Sequence, residues 1–160
     1  MLLTAEKSEC EKNQKIIVSR DRGSSCQHRA INDKGKSDVR QYQLDGKLVV
    51  DETCCDYLVL NDSTKSAYFI ELKGSDIRTA VSQLEVTERR FRAELKGYAM
   101  FYRIIAKKMR THELKSNTVR KFQDKYGAKL QYATEKMEER IYIHEFLKIF
   151  LNITKKLHFL

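Results

Sequence analysis

Glu71 and Lys73 stand two residues apart at the end of an apolar run, Tyr68-Phe69-Ile70. Residues i and i+2 of a β-strand share one face, so this carboxylate and this ammonium can act on the same bound atom. The tripeptide Glu-Leu-Lys also occurs at Glu94-Leu95-Lys96 and Glu113-Leu114-Lys115. Those copies fall in helical or polar surroundings, where residues two apart point to different sides and a solvated face is the plain reading. A third group comes from the segment before. Asp56-Tyr57-Leu58-Val59-Leu60 is separated from the Glu71 strand by the polar stretch Asn61-Asp62-Ser63-Thr64-Lys65-Ser66. A turn centred between Ser63 and Thr64 sets Asp56 opposite Glu71, with Leu58 opposite Phe69 and Leu60 opposite Ala67. A slip of one residue would break this arrangement, because it exchanges the faces.

Two adjacent carboxylates repel, and each raises the other's proton affinity unless a cation lies between them. Magnesium suits that position, since it takes one or two carboxylates together with waters and phosphate oxygens. A divalent ion there polarises a phosphodiester and acidifies a bound water, and an amine on the same face stabilises the charge that develops. Asp56, Glu71 and Lys73 are therefore the expected catalytic residues, with Asp56 and Glu71 as ligands of Mg²⁺ or Mn²⁺. The plain alternative is an edge-strand charge pair worth about a few tenths of a kcal/mol, beside a turn aspartate.

The elements that must hold these groups are legible from residue 39 onward. Gln41–Leu44, the Asp45-Gly46 dipeptide and Lys47–Val50 read as a hairpin. The Asp56–Lys73 hairpin follows. Gly74-Ser75-Asp76 then breaks the strand and offers a helix cap. Ile77, Val81, Leu84, Phe91 and Leu95 lie on one helical face, which predicts a helix over about 76–95 that packs on the sheet and ends at Gly97. Tyr98–Ala106 is a strand-length apolar run. Ser116 or Asn117 caps a short helix carrying Val119, Phe122 and Tyr126, with Gly127 as its stop. Leu130–Ala133 is a last short strand. From Met137 to Leu160, Ile143, Phe146, Leu147, Phe150 and Leu151 recur at helical spacing, so the tail reads as an amphipathic helix on the core or on a partner, as in a homodimer. The expected organisation is a poorly defined segment 1–38, an α/β core over 39–134 and the helical tail 135–160. This is a mixed sheet flanked by helices.

The chain resembles the PD-(D/E)xK nuclease superfamily over roughly residues 39–134. The resemblance rests on Cys55-Asp56-Tyr57-Leu58-Val59 and Tyr68-Phe69-Ile70-Glu71-Leu72-Lys73-Gly74, followed by a helix carrying Gln83-Leu84. It implies a restriction-endonuclease-like fold with an extra C-terminal helix. It also implies that Asp56 and Glu71 bind the metal while Lys73 assists the attacking water. Some branches add a glutamine on the following helix, a role that Gln83 would fill. Many members also carry an acid before the sheet; Glu6, Glu9 and Glu11 lie in the illegible segment, and Glu52 is the supporting acid nearest in sequence. Cys55 stands where the motif's proline would be.

Composition frames these expectations. The chain has 160 residues with 41% apolar and 33% charged residues, which is enough for one core and too apolar for general disorder. No apolar run approaches the roughly 20 residues of a membrane span, and the N-terminus meets acid and base early, so a cytoplasmic protein without membrane attachment is expected. Four cysteines suggest no disulfide framework. Cys26-Gln27-His28 alone lacks the four ligands of a zinc site. The formal net charge of +9 favours a polyanionic partner. Arg78, Arg89 and Arg90 are the expected nucleic-acid contacts, DNA being favoured over RNA. Other basic clusters are Lys107, Lys108 and Arg110, and Arg120, Lys121 and Lys125. The alternative function is a catalytically inactive nuclease-like module that binds nucleic acid or protein.

Overall fold

The residues between Tyr57 and Lys73 are apolar in nearly unbroken runs, and such runs need cover on both faces. The computed structural model, which describes residues 1–141, provides that cover. Strands β3 (Val39–Gln43), β4 (Tyr57–Asn61) and β5 (Ser66–Lys73) form an antiparallel meander. Two further strands, β6 (Ala99–Ala106) and β7 (Leu130–Thr134), continue it in parallel, so the five-stranded sheet is mixed and ordered β3-β4-β5-β6-β7.

Helix α1 (Ile77–Phe91) makes the crossover from β5 to β6. Asp76 caps it, its Oδ1 accepting from Thr79 N–H at 3.0 Å. After β6 come a single turn, α2 (Thr111–Leu114), and α3 (Asn117–Tyr126). Ser116 Oγ accepts from Val119 N–H at the start of α3, and Gly127, at φ 52°, closes it. Ile77, Val81, Leu84 and Phe91 of α1 join Val119 and Phe122 of α3 over Leu58, Leu60 and Phe69 of the sheet.

The other face of the sheet is covered by a layer that the sequence did not announce. Strands β1 (Ile16–Arg20) and β2 (Gln27–Ile31) form an antiparallel hairpin, and β8 (Lys136–Arg140) adds to β2 in parallel. Ile17, Ala30 and Met137 from this three-stranded sheet pack on Val59, Tyr68 and Ile70. The protein is thus an α/β fold with helices, a mixed five-stranded sheet and a three-stranded sheet in layers.

Three expectations are corrected. The segment 1–38, expected to lack defined structure, carries two strands of the second sheet. Lys136–Arg140, expected to open a helix, is a strand; the remainder of the expected tail helix lies outside the described residues. Lys47–Val50 is a tight turn, not a strand. Leu44 N–H donates to Asp56 O at 2.8 Å, so β3 takes β4 as its ladder partner. The chain from Leu44 then curls back, with Val49 N–H donating to Leu44 O at 2.9 Å and Gly46 at φ 69°. The Asp-Gly pair makes its turn, but with no second strand to close. No helix among the described residues is long and apolar enough to cross a membrane.

Candidate metal and phosphodiester site

The register of β4 and β5 decides which groups meet. Leu58 pairs with Phe69, Leu60 with Ala67 and Tyr57 with Ile70, the pairing expected from the sequence. Asp56 precedes the first of these pairs and turns its carboxylate onto β5, where Oδ2 accepts from Leu72 N–H at 2.7 Å. Glu71 and Lys73 share the helix-side face, and Lys73 Nζ lies 2.9 Å from Glu71 Oε1. Asp56, Glu71 and Lys73 are therefore brought together.

Glu71 is the unusual member. It is wholly buried, and the groups that favour its charge are the Lys73 ammonium, 2.9 Å from Oε1, and the Asp56 backbone. A buried charge with so few partners is costly, and the group responds by holding its proton. Burial first, and then the Asp56 charge, push the Glu71 carboxyl up to about 8, against the opposing pull of Lys73. Asp56 is raised to about 6 by burial, with its Leu72 hydrogen bond working the other way and Asp21 adding to the rise. Burial works against the charge on Lys73, but Glu71 outweighs it and the amine is held protonated.

Two acids not singled out from the sequence border this group. Asp45 directly follows Leu44, the residue bonded to Asp56, so the β3 turn brings it beside the site. Asp21 sits in the β1–β2 loop, which is fastened over the same end of the sheet. There Tyr57 Oη donates to Arg20 O at 2.8 Å and Cys26 Sγ contacts Lys73 O at 3.5 Å. Asp21 is half-buried, and burial and then Asp45 raise its proton affinity. Asp45 looked only like hairpin-turn chemistry, and Asp21 lay in the segment with no readable periodicity. Neither carried a sequence signal of its own.

Among the described residues, no set of three or more His, Cys, Asp or Glu side chains converges closely enough to hold a metal ion. The local acid pair, each acid with one oxygen not held by these contacts, fits magnesium or manganese, which complete their shells with waters and phosphate. It does not fit an all-protein cage.

The supporting residues divide. Gln83 of α1 reaches the segment that leads into β4 and bears Asp56, its Nε2 donating to Cys54 O at 2.9 Å, and its Oε1 is buried without a partner. Glu52 is exposed and paired with Arg90, so it serves α1 and not the acid pair. Arg78 contacts Glu113 at 3.3 Å. Arg89 is exposed in the last turn of α1, and Arg90, paired with Glu52, follows it. The chain matches no protein-family model, no curated protein and no solved structure.

Proposed function

We propose that the protein is a Mg²⁺- or Mn²⁺-dependent nuclease of the PD-(D/E)xK kind, hydrolysing phosphodiester bonds in nucleic acid, with DNA as the favoured substrate. The observation that carries this reading is Glu71, a wholly buried carboxylate placed beside Asp56, with the Lys73 ammonium 2.9 Å from its Oε1. The mixed sheet, with an antiparallel meander feeding a helix and then parallel strands, supports a restriction-endonuclease-like reading of the fold.

Asp56 and Glu71 would hold the divalent ion, which when bound supplies Lewis acidity toward the phosphate and a more acidic water. Asp56 is fixed for this by Leu72 N–H, which leaves its other oxygen for a ligand. Burial of Glu71 excludes competing water from its carboxylate and strengthens every charge interaction around it. Lys73 stays cationic and is positioned to hold the attacking water or offset charge at the pentacoordinate phosphorus. Gln83 positions the Cys54–Asp56 segment from α1.

A second reading, a nuclease-like module that binds without cleaving, is favoured by one observation: no third ligand side chain converges with the pair among the described residues. Plasmid nicking separates the two. The nuclease reading expects nicking with Mg²⁺ or Mn²⁺ that is lost in Glu71→Ala and in Lys73→Ala while DNA binding survives. DNA binding with no metal-dependent nicking would favour the second reading.

A further inference from the structure

Unpaired positive charge lies on a different element from the arginines of α1. Strand β6 runs parallel to β5 and leaves the sheet at the same end. Just beyond it, Lys107 N–H donates to Lys73 O at 2.8 Å and Lys108 N–H donates to Gly74 O at 3.0 Å. The backbone thus fastens two lysines alongside the strand end that carries Lys73. Lys107, Lys108 and Arg110 are exposed, as are Lys115, Arg120 and Lys121 along α2 and α3. Among the described residues none of these six makes an ion pair. The one acid between residues 107 and 121, Glu113, is buried and already engaged by Arg78 and His112. Across the site the charge is mixed, with Asp21 and Asp45 beside exposed Arg20 and Arg22 on the flank formed by the β1–β2 loop and the β3 turn.

This asymmetry restricts the approach of a polyanion. A phosphate backbone laid over the Asp21–Asp45 side meets two acids beside Arg20 and Arg22, whereas one laid over the β6 exit meets six cations, with Asp76 at the α1 cap and Glu135 after β7 as the bordering acids. We propose that residues 107–121 form the docking surface for a nucleic-acid backbone, with Lys107 and Lys108 holding the phosphates next to the one at Lys73. The inference rests on the nuclease reading for its orientation, but it concerns binding and not cleavage. Lysine ammoniums act on phosphate as point charges, so the surface fixes position without reading base sequence.

The test is fluorescence anisotropy of a labelled duplex DNA over a range of KCl concentrations, in EDTA so that no cleavage occurs. Each phosphate contact contributes about 0.9 to the slope of log affinity against log salt. The Lys107→Ala/Lys108→Ala variant is expected to lower that slope by about two and to weaken binding at least about tenfold at moderate salt. Arg89→Ala/Arg90→Ala is expected to leave the slope nearly unchanged. An equal loss on duplex RNA of the same sequence supports backbone recognition. Both lysines are exposed, so the variant should melt as the parent does, and thermal unfolding checks this. A slope that survives loss of both lysines, or one that falls only in the arginine variant, overturns the proposal. Binding with the expected slope but no nicking upon metal addition would leave this surface standing and count against the nuclease reading alone.

Discussion

Two glutamates with largely or wholly buried side chains have opposite surroundings in this molecule. Glu139, on β8, is met by Arg103 of β6 through two hydrogen bonds, at 2.7 and 2.8 Å, and by His28 of β2, whose Nε2 donates at 2.7 Å. Burial alone would raise its proton affinity, but His28 and Arg103 outweigh it and hold the carboxyl down to about 2. Glu71 lies in the same molecule, still further out of water, with Lys73 and the Asp56 backbone as its counterweights and Asp56 adding to the rise, and is pushed up to about 8. Glu139 joins the two sheets with a guanidinium and an imidazole around it. Among the described residues, Glu71 has no guanidinium and a neighbouring carboxylate instead, a condition common at functional sites. Burial alone does not set the proton affinity of a buried acid; the number and charge of its partners do.

The comparison can be broken most severely by catalysis. Glu71→Ala should lower Mg²⁺-dependent nicking by about three orders of magnitude, whereas an equally folded variant near Glu139 should retain it; plasmid nicking rates check this. The next largest effect is on stability. Glu139→Gln leaves the Arg103 guanidinium buried without its counter-charge and should cost about 3–5 kcal/mol, read by denaturant unfolding. Glu71→Gln should act in the other direction, stabilising the metal-free protein at pH 8 and above by roughly 1–3 kcal/mol, since it removes a buried charge.

The pH dependence follows with opposite signs. The folded proton affinity of Glu71 is above its unfolded value near 4, so its contribution is full below about pH 4 and is lost as pH rises toward about 8. That of Glu139 is below its unfolded value, so its contribution is present above about pH 4 and is lost as pH falls toward about 2. The melting temperature of the metal-free protein should fall between pH 5 and 8, and Glu71→Gln should flatten that fall. The smallest effects belong to the bordering acids. Asp45→Asn and Asp21→Asn should each weaken Mn²⁺ binding only several-fold, because they act by charge and not by contact; calorimetric titration measures this.

The parts of the fold legible in the sequence are those where burial and residue type agree. The β4–β5 hairpin could be registered because Leu58, Leu60, Ala67 and Phe69 share one buried face. The start of α1 and both ends of α3 were visible because Asp76, Ser116 and Gly127 perform the capping that their types suggest, whereas α1 stops at Phe91, short of the expected end near 95. The three-stranded sheet was hidden because its faces invert the usual pattern. On β1 the exposed residues include Ile16 and Val18 while Ser19 is buried, and on β2 the buried residues are His28 and Ala30. Met137 on β8 and Ile141 just after it, both buried, stand four apart, a spacing that suits a helix as well as a strand. Of the site, the three residues set by one hairpin were readable. Asp21, Asp45, Lys107 and Lys108 reach it only through tertiary connections, which local pattern does not encode.

The central claim is that Asp56 and Glu71 together bind a divalent cation. Calorimetric titration of Mn²⁺ into the metal-free protein at pH 8 measures it directly, with Glu71→Gln and Asp56→Asn as comparisons and thermal unfolding as the check on folding. The account predicts one site on the parent that is lost or weakened at least about a hundredfold in both variants, releases protons on binding, and weakens about tenfold for each pH unit below 8 as the Glu71 proton must be displaced. Absence of binding to the parent, or binding unchanged in a folded Glu71→Gln variant, would contradict it.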